Sequence, residues 1–387
     1  MIARLDEVFN LQMGKTPSRN NTDYWINGQY DWISIADLGG YQKYVEKTKE
    51  KISALAIQES GIKCVPANTV IMSFKLSLGK TAITKNSVYT NEAIMAFIPT
   101  GRYAVLPDYF YYLFSARDWT KGTNRAVMGT TLNKATLSAI SVEVPPLDEQ
   151  RCIVATLDKV SDLIYKRRQQ LNKLDEMVKA RFVEMFGDCK TNPKGWPVLY
   201  LEQIAEVGSS KRVFVEELKE SGIPFFRGTE VGALAEGKKI EPELFITEEH
   251  YQQLCLATGK PQIGDLLMPS ICPDGRIWIV NSDDPFYFKD GRVLWVHNIK
   301  KEFNSVFLLY TLKDRIMTDY NSIASGTTFA ELKIFSLKQC KIFNVPIELQ
   351  TKFASFVEQT EKTKAAIRDS LEKLETLKKA LMQEYFG

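Results

Sequence analysis

The 387-residue sequence predicts an α+β protein: two pseudo-symmetric domains, mostly antiparallel β with helices, joined by two long antiparallel coiled-coil helices. Three observations carry this expectation. Residues 145–187 lie over residues 345–387 without a gap, at an offset of 200. Within those two segments apolar residues recur every three or four positions, the period of a helical seam. The stretches in front of them read as short β segments punctuated by turn residues.

The duplication is legible residue by residue. Pro146 meets Pro346, Gln150 meets Gln350, Leu171 and Leu174 meet Leu371 and Leu374, and Phe186-Gly187 meets Phe386-Gly387. Upstream the match continues with small gaps: "GTTLNKATLSAISVEVP" from Gly129 parallels "GTTFAELKIFSLKQCKIFNVP" from Gly326, and "VIMSFKLSLGKTAI" parallels "LLMPSICPDGRIWI".

In chain order, residues 1–144 form the first domain, with strands expected at "DWISIADL", "NTVIMSF", "KTAITKN" and "EAIMAFIP" and a helix at "PDYFYYLFSARDW". Residues 145–188 form a central helix. Residues 189–344 repeat the domain, with β segments "IPFFRGTEV", "GDLLMPS", "RIWIVN" and "GRVLWVHNI" and a helix at "NSVFLLYTLKDRIM". Residues 345–387 form the closing helix. Pro146 and Pro346 stand where a helix begins, and Gly187 and Gly387 where one stops.

Leu157, Ile164, Leu171, Leu174 and Val178 occupy the apolar phases of the first helix; Val357, Ile367, Leu371, Leu374 and Leu381 occupy those of the second. Such a/d spacing with charged residues elsewhere describes coiled-coil helices. A helix of roughly 35 residues spans about 50 Å, more than the width of a domain this size, so the two helices are expected to pair with each other. Arg167, Arg181, Lys364 and Lys378 fall in core phases and leave the seam imperfect.

Composition narrows the function classes. Net charge is +3, with 16 Lys and Arg against 12 Asp and Glu in residues 1–144 and 19 against 20 in residues 189–344, so a polyanionic partner would have to be met by local clusters. The six cysteines include no C-x-x-C, and the two histidines, His250 and His297, stand apart from any metal-ligand spacing. No apolar run is long enough to span a membrane and the start has no secretory pattern, so a cytoplasmic protein is expected.

Two stretches invite an enzymatic reading. Gly79-Lys80-Thr81 looks like the end of a phosphate-binding loop, but Phe74 occupies the position of the loop's first glycine. In the second copy Gly275 matches Gly79 while Lys80-Thr81 becomes Arg276-Ile277, so the retained features are a tight turn and a following cation. Asp284-Pro285-Phe286-Tyr287 is similar to the loop with which amino-methyltransferases hold an extruded adenine, and supports an alternative reading as a self-sufficient DNA adenine methyltransferase. No G-x-G cofactor turn accompanies it, and no nuclease or nucleophile constellation stands out. A protein-binding coiled-coil adaptor is the other alternative.

The two-copy layout, the helix starts "PPLDEQ" and "VPIELQ", the helix ends "MFG" and "YFG", the opening "GKTPS…YW…G…DWISIADL" and the turn "SLGKTAI" together resemble the specificity subunit of type I restriction-modification systems over essentially the whole chain. The resemblance implies that each globular copy is a target recognition domain reading one half of a split, asymmetric double-stranded DNA site. It implies that the helices set the gap and dock the methyltransferase (modification) subunits, joined for restriction by motor-nuclease subunits. The subunit itself would be non-catalytic and hold no cofactor, with S-adenosylmethionine in the partner methyltransferase. DNA contacts are expected from Lys15, Thr16, Arg19, Lys75, Lys80, Arg125, Thr130 and Thr131 in the first domain, and from Lys211, Arg212, Arg227, Arg276, Thr327 and Thr328 in the second.

Overall fold

The computed structural model describes every residue except 76, 120–124, 127–128, 131 and 327–329; of residues 125, 126, 129 and 130 only the backbone is described. The chain divides into two compact units: Met1–Arg168 with Arg368–Gly387, and Gln169–Ile367. Each unit therefore holds one globular copy and one segment of each long helix.

In the first unit, β1 (Phe9–Met13), β3 (Val70–Ser73), β4 (Thr81–Ile83) and β5 (Ile94–Pro99) form an antiparallel sheet in the order β1-β5-β3-β4. The central strands are apolar runs, Val70-Ile71-Met72 and Ile94-Met95-Ala96-Phe97, because both of their faces are covered. A second sheet pairs β2 (Tyr30–Ile33) antiparallel with Glu50–Ile52 and parallel with Tyr89–Thr90. The expected strand "DWISIADL" is half helix. Ser34 accepts the Asp37 amide and Asp37 caps Ser34 in return, so the chain turns into α1 (Ile35–Leu38). α2 (Pro107–Ala116) buries Tyr109, Phe110, Tyr112, Leu113 and Phe114 against the first sheet, with Phe110 edge-on to Phe9 at 4.8 Å. The unit then leads into α3 (Leu147–Phe186).

The second unit repeats this topology. β6 (Glu206–Gly208), β8 (Leu266–Pro269), β9 (Trp278–Ile279) and β10 (Val293–His297) form a sheet in the order β6-β10-β8-β9, strand for strand the order of the first. β7 (Ile223–Phe226) pairs antiparallel with Phe245–Ile246 and parallel with Tyr287–Phe288. Here too the expected strand "IPFFRGTEV" turns helical, as Arg227 and Glu230 cap α4 (Gly228–Ala235). α5 (Ser305–Ile323) packs where α2 does in the first copy, and α6 (Ile347–Phe386) closes the chain.

Both long helices run 40 residues, longer than the expected 35, and start directly after Pro146 and Pro346. Within each unit their segments run antiparallel. Arg168 pairs with Glu375 in the first unit, and Asp175 pairs with Lys364 in the second. The helices pair with each other as expected, and within each unit their ends also enter the domain core. Ile153, Val154 and Leu157 with Leu381 and Phe386 join the core of the first unit, and Val178, Phe182 and Phe186 with Phe353 and Val357 join that of the second. The reason is the size of the side chains: aromatic rings at the helix ends fill space beneath α2 and α5 that a two-helix seam leaves open.

Seam burial is graded accordingly. Leu157, Ile164, Val178 and Val357 are buried, whereas Leu171, Leu174, Ile367, Leu371, Leu374 and Leu381 are half-buried. Two of the polar residues in core phases form ion pairs. Lys364, 7% exposed, donates to Asp175 at 2.7 Å and Glu361 at 2.6 Å, and Arg181 pairs with Glu184. Burial lowers the affinity of Lys378 for its proton, and its ammonium lies 5.9 Å from the Tyr112 ring.

Candidate nucleic-acid interface

The β3–β4 hairpin explains the phosphate-loop-like sequence. Gly79 adopts φ +80°, a left-handed turn that its lack of a Cβ permits. Its amide donates to the Ser73 carbonyl at 2.9 Å, and the Lys80 amide donates to Ser73 Oγ at 3.0 Å. The Thr81 hydroxyl donates back to the Gly79 carbonyl at 2.9 Å. The Gly79 and Lys80 amides and the Thr81 hydroxyl are thus consumed in closing the turn, and Phe74 is buried. Gly275 repeats the turn between β8 and β9 with φ +66°.

The cation after each turn crosses to the short helix of the same unit. Gly39, the C-cap of α1, lies so close to Lys80 that a Cβ there would sit 2.6 Å from Nζ. Gly232 in α4 stands in the same relation to Arg276, a Cβ there falling 2.9 Å from Nη1. Counted from the helix caps Ser34 and Arg227, the two glycines occupy the same position. Each unit therefore seats its hairpin cation on a glycine. The loops that carry the "GTT" segments return to the same place, the Leu132 amide donating to the Phe74 carbonyl at 3.1 Å and the Leu332 amide to the Ser270 carbonyl at 2.7 Å.

Electrostatic surroundings separate the expected contact residues. Lys80 is exposed, and among the described residues no carboxylate lies within ion-pair distance. Lys75 stands 5.3 Å from the Phe74 ring, and Lys211 holds only its backbone amide, which donates to the Tyr287 hydroxyl at 3.0 Å. Lys15 donates to the Ser60 carbonyl at 2.5 Å. Thr16 is engaged with Glu92 and Asn91.

Arg19 forks the Glu50 carboxylate and stacks 3.7 Å over Trp25, and its hydrogen bonds hold that carboxyl below the usual range. Arg212 lies 3.6 Å from Asp290 and 5.7 Å from the Phe214 ring. Arg227 is bound by Glu230 and Glu243, and Arg276 by Asp274 at 2.8 Å with Glu236 at 3.7 Å. Thr131, Thr327 and Thr328, with the side chains of Arg125 and Thr130, lie outside the described residues.

The Asp284-Pro285-Phe286-Tyr287 stretch is not a base-holding loop. Phe286 is buried and stacks on Phe226 at 4.9 Å, while Tyr287 and Phe288 form the strand beside β7 and Tyr287 bonds to Thr258 and the Lys211 amide. An aromatic ring already packed into a core offers no face to an extruded adenine, so the methyltransferase alternative is withdrawn. Among the described residues no three His, Cys, Asp or Glu side chains converge as metal ligands, and no helix is long and apolar enough to cross a membrane.

Two polar features escaped the sequence reading. Gln150 and Gln350 are fully buried clamps, each spending its side-chain amide on three backbone groups. Gln150 accepts the Leu106 amide and donates to the Ala104 and Pro145 carbonyls; Gln350 accepts the Asn304 amide and donates to Glu302 and Val345. Their identity in both copies was the available signal. Lys43, which no pattern marks, bridges Asp108 at 2.7 Å and Asp158 at 2.6 Å, with the Tyr112 hydroxyl also donating to Asp158. Burial works against the charge on Asp108, but hydrogen bonds from Lys43 and Tyr44 prevail and hold its carboxyl below the ordinary range.

Comparison with known proteins agrees with this double architecture. A family model described as the type I restriction modification DNA specificity domain matches residues 1–175 and again residues 193–376. The specificity subunit of the type I restriction enzyme MjaIX from Methanocaldococcus jannaschii is 26% identical over 380 residues, covering 92% of this chain and 85% of that protein. The EcoR124I/EcoR124II specificity subunit of Escherichia coli is 30% identical over 168 residues, 41% of this chain and 40% of that protein.

Among solved structures, the S subunit of a type I restriction-modification system from M. genitalium superposes with a TM-score of 0.58 at 14% identity, covering 100% of this chain and 96% of that one. A chain from a structural study of complex assembly and conformational transition in the type I R-M system gives 0.59 at 17%, covering 100% and 97%. With one sheet topology built twice and a family match over both copies, the chain belongs to the type I restriction modification DNA specificity family.

Proposed function

We propose that the chain is the non-catalytic DNA-specificity subunit of a type I restriction-modification enzyme, each globular copy reading one half of a bipartite, asymmetric double-stranded site. The observation that carries this reading is the pair of equivalent hairpins, each presenting a cation seated on a glycine but with different residues around it. Two copies of one scaffold with unlike contact residues suit two unlike half-sites.

The long helices support the rest of the proposal. Beyond their seam they expose Leu163, Tyr165, Met177, Val183 and Leu377, apolar area of the kind that adenine-N6 methyltransferase subunits would cover. S-adenosylmethionine then belongs to those subunits, motor-nuclease subunits join for restriction, and the assembly works in the cytoplasm. Co-expression with the cognate methyltransferase, followed by methylation mapping of host DNA, tests the proposal. A single interrupted adenine-methylated motif is expected only when this chain is present. Methylation that ignores its presence would sink the idea.

A further inference from the structure

Resting on that reading, we propose that the two hairpins engage DNA by different chemistry: Lys80 holds a backbone phosphate, whereas Arg276 reads a base edge. The geometry that seats the two cations is the same. Each follows a left-handed glycine, Gly79 or Gly275, and each lies over a glycine, Gly39 or Gly232, at one position of the short helix. Two copies whose surrounding loops differ in sequence keep this pairing of glycine and cation, so the seat is an internal repeat.

Its charge environment is not repeated. Lys80 presents a full positive charge with no described carboxylate beside it. A phosphate meeting it releases a condensed counterion, and binding gains from that release. Arg276 is held at Nε by Asp274, 2.8 Å away, and faces Glu236 at 3.7 Å, which in turn pairs with Lys238 at 2.5 Å. Two cations and two carboxylates sum to no net charge, so a phosphate gains little by approaching this cluster. The guanidinium nevertheless keeps N–H donors on both Nη atoms, because 3.7 Å is too long for a hydrogen bond. A neutralised, braced fork of donors suits the O6 and N7 acceptors of guanine, which carry no net charge.

The test uses the full chain assembled with its methyltransferase subunits, and a duplex oligonucleotide carrying the mapped motif. Binding is measured across salt concentrations and against single-base variants of the site. Lys80→Ala is expected to lower the slope of log affinity against log salt by about 0.9 with base preferences intact. Gly39→Ala, which displaces only the flexible end of Lys80, should do the same.

Arg276→Ala should leave the slope unchanged and lose roughly 5- to 150-fold discrimination at one base position, and Arg276→Lys, which keeps the charge without the fork, should lose it too. The inference is overturned if Arg276→Ala lowers the salt slope as Lys80→Ala does, if it leaves every base preference intact, or if Lys80→Ala leaves the slope unchanged. A wild-type assembly with no sequence preference at all would instead overturn the proposed function.

Discussion

Gln150 accepts a hydrogen bond from the Leu106 backbone amide at 2.9 Å, tying the first turn of α3 to the start of α2, and the Gln350–Asn304 pair repeats the contact at 2.8 Å in the other unit. Both glutamines are fully buried. Gln150→Ala would strand one amide and two carbonyls, and we expect a loss of about 3 kcal/mol, read as a lower urea midpoint. A loss below about 1 kcal/mol would mean that water replaces the side chain.

The anchorage of the helices can be separated from their seam. Phe186 is fully buried, with Phe307 and Phe353 edge-on at 4.8 and 5.5 Å. Phe186→Ala should cost about 3–5 kcal/mol. Leu171→Ala, in the half-buried seam, should cost about 1–2 kcal/mol. Equal losses in the two variants would contradict the grading of burial described above.

Lys364 is the buried charge of the seam, yet its partners Asp175 and Glu361 reach solvent, their side chains 62% and 42% exposed. Lys364→Met leaves both carboxylates free to hydrate and fills the same space with apolar atoms. Thermal denaturation should show stability unchanged or raised by about 1 kcal/mol. A marked drop would show that the ion pair itself holds the helices together.

Glu230 gives a pH signature. Burial raises its pKa, but the hydrogen bonds of Arg227, from side chain and backbone, outweigh burial and bring the carboxyl to about 2. A carboxyl depressed on folding stabilises the native state above its unfolded pKa near 4.5 and loses that contribution as pH falls toward 2. Urea midpoints at pH 7 and pH 3 should therefore differ less for Glu230→Gln than for the unaltered chain. An identical difference would refute the coupling.

Much of the architecture was legible because the chain repeats itself. Matching Pro146 with Pro346 located both helix starts, and matching Gly79 with Gly275 turned a suspected nucleotide loop into a sheet turn, which the Gly79 and Lys80 amides donating to Ser73 bear out. The helical ends of "DWISIADL" and "IPFFRGTEV" were missed. Their caps, Ser34 with Asp37 and Arg227 with Glu230, are local and three residues apart, but apolar content alone reads them as strand.

The contact residues were less legible than the scaffold. Arg19, Arg227 and Arg276 look alike in sequence to Lys80 and Lys211, and only folding shows which of them meet a carboxylate. Glu230 and Asp274 stand two or three residues from their arginines, but Glu50 lies 31 residues from Arg19 and Glu236 lies 40 from Arg276, and no short-range pattern encodes those pairings.

The sequence by itself determined that there are two copies, that each is α+β, and that two heptad-patterned helices follow them, because periodicity and self-similarity are local properties of the chain. Tertiary structure decided which cations are free, that Gly39 and Gly232 seat them, and that the helix ends belong to the domain cores. Those outcomes depend on distances between residues remote in sequence, which are set only when the sheets close and the aromatic side chains compete for the same interior space.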